Sequence, residues 1–293
     1  MGSNEPTDIV QRKQGVAEVF SRAAPTYDHV GPRFFSHFGR RLVEIAQIPN
    51  GAQVLDVATG RGALLFPAAE SVGPHGRVIG IDLSETMVQE TTQELARLKI
   101  SPNVEVRQMD AEHPLFPDRS FDFVLCGFAI FYFPRLDHAM SEFRRVLKPH
   151  GHICVSTWAT LWGKQWNWFY EIVKAYLPPE PETNQATESD TVSPPVFDTP
   201  EGLEAILKAA GFDNIQIFPE AAELVYSTEE EFWSTLWSHS RRETLEDIER
   251  IRGTEGLEKF KAEIFSKLGD IKQTDGIHQL FPALIGLATR PQA

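Results

Sequence analysis

Ten residues constrain this chain more than any others: Val54-Leu55-Asp56-Val57-Ala58-Thr59-Gly60-Arg61-Gly62-Ala63. They read as a buried strand that ends in an acid, passes through a glycine turn and hands over to a helix at Ala63-Leu64-Leu65-Phe66. Glycine lets a backbone approach a ligand because no Cβ stands in the way. A parallel strand running into such a turn opens a crevice at its carboxyl end, where open α/β sheets take their ligands. About 20 residues on, a second strand, Arg77-Val78-Ile79-Gly80-Ile81, ends in Asp82, the distance expected of an acid that holds a ribose.

A dinucleotide site would show a third glycine for close helix–strand packing. Here Gly60-Arg61-Gly62 is followed by Ala63, Leu64 and Leu65. Asp56, just before the turn, would repel a pyrophosphate and suits a ligand with a cationic end. A nicotinamide-dependent oxidoreductase on a related sheet is therefore the rival reading, opposed by both features.

The pair Asp-x-Ala-x-Gly-x-Gly and Gly-Ile-Asp-Leu-Ser resembles motifs of the class I S-adenosylmethionine (SAM) methyltransferases. Ala24-Pro25-Thr26-Tyr27-Asp28, ahead of the glycine turn, is similar to the ubiquinone/menaquinone-biosynthesis methyltransferases and related natural-product enzymes, as is Leu147-Lys148-Pro149-His150-Gly151 before a strand. The resemblance spans roughly Phe20 to Trp158. It implies a Rossmann-like fold, a mostly parallel seven-stranded sheet with helices on both faces, and SAM as cofactor, leaving S-adenosylhomocysteine (SAH). It also implies cofactor contacts from Tyr27, Asp56, Ala58, Thr59, Gly60, Gly62, Asp82, Leu83, Asp110, Ala111, Gly127 and Phe128. Asp110 and Ala111 match the acid and following amide that meet adenine in the family.

Along the chain, helices are expected over Asp8–Ala24 and after Pro32, with Phe34, Phe38, Leu42 and Ile45 on one stripe. Ser84 reads as an N-cap. Strands three to five are expected at Val104–Gln108, Phe121–Cys126 and Ile153–Trp158, with Arg145–His152 as the turn before the fifth. A helix at Leu161–Leu177, a loop at Pro178–Pro195, a sixth strand at Phe212–Phe218 and a final reversed strand at His278–Arg290 complete the sheet. Residues 1–50 form an N-terminal helical cap, 51–158 the cofactor core and 159–200 an aromatic helix with a lid loop. Residues 201–293 form the rest of the sheet with a helical insertion. All belong to one structural domain.

All six tryptophans lie from Trp158 onward. Aromatic side chains supply large apolar area and stack on planar ligands. Phe20, Phe34, Phe131, Trp158, Trp162 and Trp233 are therefore expected to line a site for an apolar, aromatic or prenylated acceptor, with N, O or C receiving the methyl group. A quinone precursor methylated at carbon is the alternative. The donor is already activated, so the protein mainly aligns acceptor and methyl group and excludes water. Tyr27 and His29 are the candidates closest to a catalytic role. Cys126 follows Leu125 and lacks the Pro-Cys context of a covalent nucleophile, and no carboxylate marks a metal site at the fourth strand's end, so neither covalent nor metal chemistry is expected.

A net charge of −13 argues against a nucleic-acid backbone as the main partner. Two cysteines without metal spacing, no apolar leader and no run of about 20 apolar residues suit a reduced cytoplasmic protein without a membrane anchor, a monomer or homodimer.

Overall fold

A computed structural model describes residues 6–100, 103–160, 167–178 and 196–292. Seven strands form one sheet: β1 (Gln53–Val57), β2 (Arg77–Asp82), β3 (Val104–Gln108), β4 (Phe121–Gly127), β5 (Leu147–Trp158), β6 (Asp213–Tyr226) and β7 (Ile277–Thr289). Their order is β3-β2-β1-β4-β5-β7-β6, with β7 antiparallel to both neighbours and the β3–β5 side parallel. This is the expected mostly parallel seven-stranded sheet with its reversed final strand. The order departs from β1 in both directions, which places a switch point between β1 and β4, where such sheets open their ligand crevice.

The helices are α1 (Thr7–Ala23), α2 (Phe34–Ala46), α3 (Leu65–Val72), α4 (Glu85–Leu98), α5 (Leu136–Val146), α6 (Asn167–Tyr176), α7 (Pro200–Ala209), α8 (Glu229–Trp237) and α9 (Arg241–Ile271). Ser84 caps α4 by accepting from the Met87 amide, and Thr199 and Thr228 cap α7 and α8 in the same way. β1 and β4 bury nearly every residue, as parallel strands covered on both faces must. Two apolar clusters sandwich the sheet. One gathers Phe143, Leu203 and Leu207; the other gathers Leu42, Leu65 and Val72.

Several boundaries differ from the sequence reading. The first crossover helix starts at Leu65 rather than Ala63, because Gly60 (φ 51°) and Gly62 (φ 84°) turn left-handed and lengthen the loop. β5 begins at Leu147, so the anticipated turn at 145–152 is largely strand, with a register shift against β4 between Phe121 and Phe123. β6 does not stop at Phe218 but continues through Pro219 to Tyr226. It is an edge strand, where a missing amide is tolerated. Ile45 is only partly buried, unlike Phe34, Phe38 and Leu42. Residues 161–166, the first part of the helix expected at Leu161–Leu177, and most of the loop expected at Pro178–Pro195 lie outside the described residues.

Past the end of β5 at Trp158↔Ala283, the β6–β7 pair runs on from Ala221↔Pro282 to Tyr226↔Ile277. That overhang stands on the carboxyl side of the parallel strands. α8 and α9 are inserted at its tip, and with α6 they form a third apolar cluster around Phe169, Phe232, Phe260 and Phe281. α9 breaks at Gly253 (φ 70°, ψ 176°), where the helix is kinked.

Candidate active site

The turn after β1 is built from the inside outward. Asp56 is fully buried and accepts a 2.6 Å hydrogen bond from the Thr59 hydroxyl. Thr59 stands over Gly80, its neighbour in β2, where an added Cβ would come within 2.9 Å of the threonine side chain. Asp82 then ties the two strand ends together. Its Oδ2 accepts from the Gly60 amide and its Oδ1 from the Ser84 amide, both at 2.9 Å. On the outer side, the Thr91 hydroxyl donates to the Gly60 carbonyl at 2.7 Å. Ala58 (φ 54°) and Phe128 (φ 51°), at the ends of β1 and β4, both adopt left-handed backbone. Non-glycine residues seldom do so, and they cluster where a site demands it.

These strand ends floor a cleft of about 790 Å³. Its walls include Ala58, Gly60, Asp82, Leu83, Asp110, Ala111, Gly127 and Phe128, with Tyr27 and Phe20 above. Eight of the cofactor positions suggested by the sequence thus converge with Tyr27 on one space. Asp56, Thr59 and Gly62 are not on its walls. Asp56, expected among the cofactor contacts, lies fully buried behind the turn and shapes it. Gly62 is needed for packing: a Cβ there would strike the Phe66 ring at 2.6 Å.

α1 roofs the cleft. Val16, Ala17 and Phe20 point into it, which explains why its apolar stripe is only partly buried by protein. Lys13, on the same helical face, reaches down to Asp110 Oδ2 (2.8 Å) and Glu112 Oε2 (2.7 Å). Glu112, fully buried, is also held by the Arg135 amide (2.8 Å) and guanidinium (3.1 Å). Sequence reasoning missed Lys13, although its spacing from Val16, Ala17 and Phe20 places it on their face.

Tyr27 is positioned by its neighbour. The Asp28 carboxylate accepts from the Ser36 hydroxyl and from the amides of Ser36 (2.9 Å) and Phe35 (3.3 Å), capping α2 from a distance. The Tyr27 ring stacks on Phe35 with centroids 5.0 Å apart and meets Phe20 edge-on at 5.8 Å. Burial pushes the carboxyls of Asp28 and Asp82 up to about 6 and that of Asp56 up to about 7; hydrogen bonds oppose the shift in each case. Burial likewise raises the Tyr27 phenol well above its ordinary value.

Beyond the shared wall of Phe20, Tyr27, Phe128 and Tyr132 lies a second, aromatic pocket of about 650 Å³. Phe34, Phe131 and Trp158 line it as the sequence suggested, joined by Phe35, Tyr226, His239, Arg241 and Phe281. Trp233 does not. It packs inside the helical insertion against Trp237 and Phe260, with Lys261 over its ring. Trp162 lies outside the described residues. His29 is exposed and borders a side recess near Arg61, not the aromatic pocket; burial and the Arg61 and Arg33 charges lower its pKa. The imidazole that does face the pocket, His239, sits in the gap between two helices, where no sequence pattern marks it.

Cys126 and Cys154 are free and fully buried, and burial raises both thiols far above neutrality. Among the described residues no cluster of His, Cys, Asp and Glu is arranged to hold a metal ion, and no helix is long and apolar enough to cross a membrane.

Known proteins place this geometry. The solved [4+2]-cyclase SpnF superposes with a TM-score of 0.58 over 96% of this chain and 97% of that one, at 17% identity, a likeness of fold alone. Aklanonic acid methyltransferase DauC of Streptomyces sp. (strain C5) is 39% identical over 50% of this chain, and the match spans 66% of that protein. Nocamycin O-methyltransferase of Saccharothrix syringae is 34% identical over 80% of this chain and 85% of its own length. The ubiquinone/menaquinone biosynthesis C-methyltransferase UbiE of Pseudomonas entomophila (strain L48) is 30% identical over 70% and 84%. A methyltransferase-domain family model matches residues 48–194. The sheet, the glycine turn and these matches agree: the chain belongs to the class I SAM-dependent methyltransferases.

Proposed function

We propose that the enzyme transfers the methyl group of SAM to an apolar, aromatic small molecule held in the pocket behind Tyr27 and Phe128. The observation that carries this reading is the shared wall: Phe20, Tyr27, Phe128 and Tyr132 border both the cofactor cleft and the aromatic pocket. A donor on one side and an acceptor on the other would meet there.

The residues of the cleft fit the cofactor. The Asp82 carboxylate, fixed by two amides, keeps lone pairs for ribose hydroxyls. Asp110, with the Ala111 amide beside it, offers an acceptor and a donor to adenine, between the apolar side chains of Leu83, Met109 and Phe133. Gly60 leaves the floor open: an added Cβ there would find only Tyr27, 3.9 Å away. Bound SAM supplies an activated methyl group on a sulfonium. The protein's part is to hold the acceptor in line and to keep water out. The α1 roof and the Tyr27 and Phe35 rings serve that exclusion.

The aromatic lining favours a planar, apolar acceptor of the natural-product kind over a small polar one. The similarity to nocamycin O-methyltransferase over most of both chains supports oxygen as the accepting atom, while the UbiE match keeps carbon methylation of a quinone precursor as a second reading. Incubation with methyl-labelled SAM and a panel of planar hydroxylated polyketides, naphthols and quinone precursors, read by mass spectrometry, tests both. Label on an apolar aromatic product is the expected result. Label only on small polar amines or acids would overturn the assignment of the pocket.

A further inference from the structure

His239 is 7% exposed and is enclosed by Tyr27, Phe34 and Phe35, whose ring centroids lie 5.2, 5.1 and 5.3 Å from its own. The carbonyl of Thr235 faces the imidazole and favours a proton on the nitrogen next to it. The other nitrogen, Nε2, is buried and has no hydrogen-bond partner among the described residues. The ring lines the aromatic pocket, one side chain away from the cofactor cleft through Tyr27. A buried acceptor without a partner costs stability. An O–H group arriving in the pocket would relieve that cost.

We infer that His239 Nε2 takes the proton of the acceptor's hydroxyl group during methyl transfer, so that oxygen is the atom methylated. The inference rests on the methyltransferase reading above and goes further by naming the acceptor atom and the base. The electrons and atoms balance without another reagent. As the oxygen–carbon bond forms, the methyl–sulfur bond breaks and its electron pair stays on sulfur. The O–H bond breaks toward Nε2, and the imidazolium later releases its proton to water.

The protonation state suits this role. Burial lowers the His239 pKa to about 4, so the ring is neutral and its lone pair is free at physiological pH. A base this weak suffices because the hydroxyl becomes strongly acidic once its oxygen is being alkylated. The other ionisable groups on the pocket wall are Tyr27, Tyr132, Tyr226 and Arg241. Burial raises the pKa of each of these three phenols, which keeps them protonated and poor as bases. Arg241 is a fixed cation, bonded to the Tyr170 hydroxyl and stacked over the Phe169 and Tyr170 rings, and it would stabilise negative charge developing on the acceptor oxygen. Among the described residues, His239 is thus the group on this wall that offers a neutral, basic nitrogen without a hydrogen-bond partner.

The test uses the full chain with saturating SAH, isotope-labelled histidine and 1-naphthol as the hydroxyl probe. The His239 signals are assigned by their loss in His239→Phe, a substitution the surrounding rings should accommodate, with His239→Gln as a second variant. At pH 7, Nε2 is expected to resonate as an unprotonated nitrogen and to shift on addition of 1-naphthol. The wild type should bind 1-naphthol about 10-fold more tightly than 1-methylnaphthalene, a preference His239→Phe abolishes. With SAM in place of SAH, bound 1-naphthol should give 1-methoxynaphthalene, and His239→Phe should lower kcat by about 100-fold or more while leaving SAH affinity within about two-fold. A protonated or unmoved Nε2, an equal preference for the two probes, methylation at carbon, no methylation, or a variant with unchanged kcat would each overturn the inference. If SAH itself fails to bind, it is the methyltransferase reading that falls; if SAH binds and the naphthol arms fail, only the role of His239 falls.

Discussion

Asp56, fully buried, and Asp82, half-buried, stand in neighbouring strands, yet they do different work. Asp82 faces the cleft, whereas Asp56 faces the turn, where its Oδ2 accepts from the Thr59 hydroxyl. The raised carboxyl pKa values make both legible by titration. A carboxyl with a folded pKa above its unfolded value holds a proton that the unfolded chain gives up. The stability this contributes is complete below the ordinary 3.8 and is lost as pH climbs through the folded value, about 7 for Asp56 and about 6 for Asp28 and Asp82. Asp56→Asn keeps an acceptor for Thr59 and removes the titration. Ligand-free variant and wild type should therefore differ little in melting temperature near pH 4, and the variant should gain on the wild type up to about pH 8. A constant difference across that range would contradict the assignment. At Asp82 the sign reverses for binding: the ionised carboxylate is the better ribose acceptor, so SAH affinity should fall as pH drops through about 6, and calorimetry in Asp82→Asn should show that dependence gone.

At the scale of elements, α1 forms the roof of the site. It meets the rest of the molecule mainly through α4 and α9, and over the cleft Val16 and Ala17 face open space while Phe20 meets the Tyr27 and Tyr132 rings. Its fastening there is the Lys13 ammonium between Asp110 and Glu112, a pair of contacts buried enough to escape most solvent screening. Removing only the cation leaves two carboxylates close together, of which Glu112 retains Arg135. Lys13→Met should therefore loosen the roof without unfolding the sheet: amide exchange in α1 should rise by about 10-fold and SAM affinity should fall by about as much, with β1 and β4 still protected. Unchanged exchange in α1 would show that the helix is held by its packing instead. α2, by contrast, is fixed. Gly39 presses against the Ala63 backbone so closely that an added Cβ would lie 2.2 Å from its carbonyl oxygen. The glycine turn is thus clamped from outside as well as hydrogen-bonded from within.

Across the whole molecule, the sheet places a cofactor cleft at its switch point and an aromatic pocket under the overhang of β6 and β7. The first of these was legible in the chain. Local turn chemistry dictates where Gly60, Asp82 and Asp110 fall, since each stands just past or at the end of a short strand. The second was legible only in part. Phe34, Phe131 and Trp158 could be named because large aromatic residues are conspicuous, but the same reasoning also picked Trp233, which is core. Nothing in sequence distinguishes an aromatic ring facing a pocket from one facing another ring. His239 and Arg241 reach the pocket through a helix break and a 14-residue strand that continues past a proline, features set by tertiary packing rather than by periodicity. His29, which shares the candidate role with Tyr27 in the sequence reading, is turned outward by the fold.

The account rests on a nucleoside donor lying across the β1 and β2 ends, and titration of the purified protein with SAH tests that most directly. The prediction is saturable binding of one SAH per chain, weakened by at least about 10-fold in Asp82→Ala with the melting profile otherwise retained, and no heat from NAD under the same conditions. Binding of NAD in place of SAH, or SAH binding indifferent to the loss of Asp82, would contradict it.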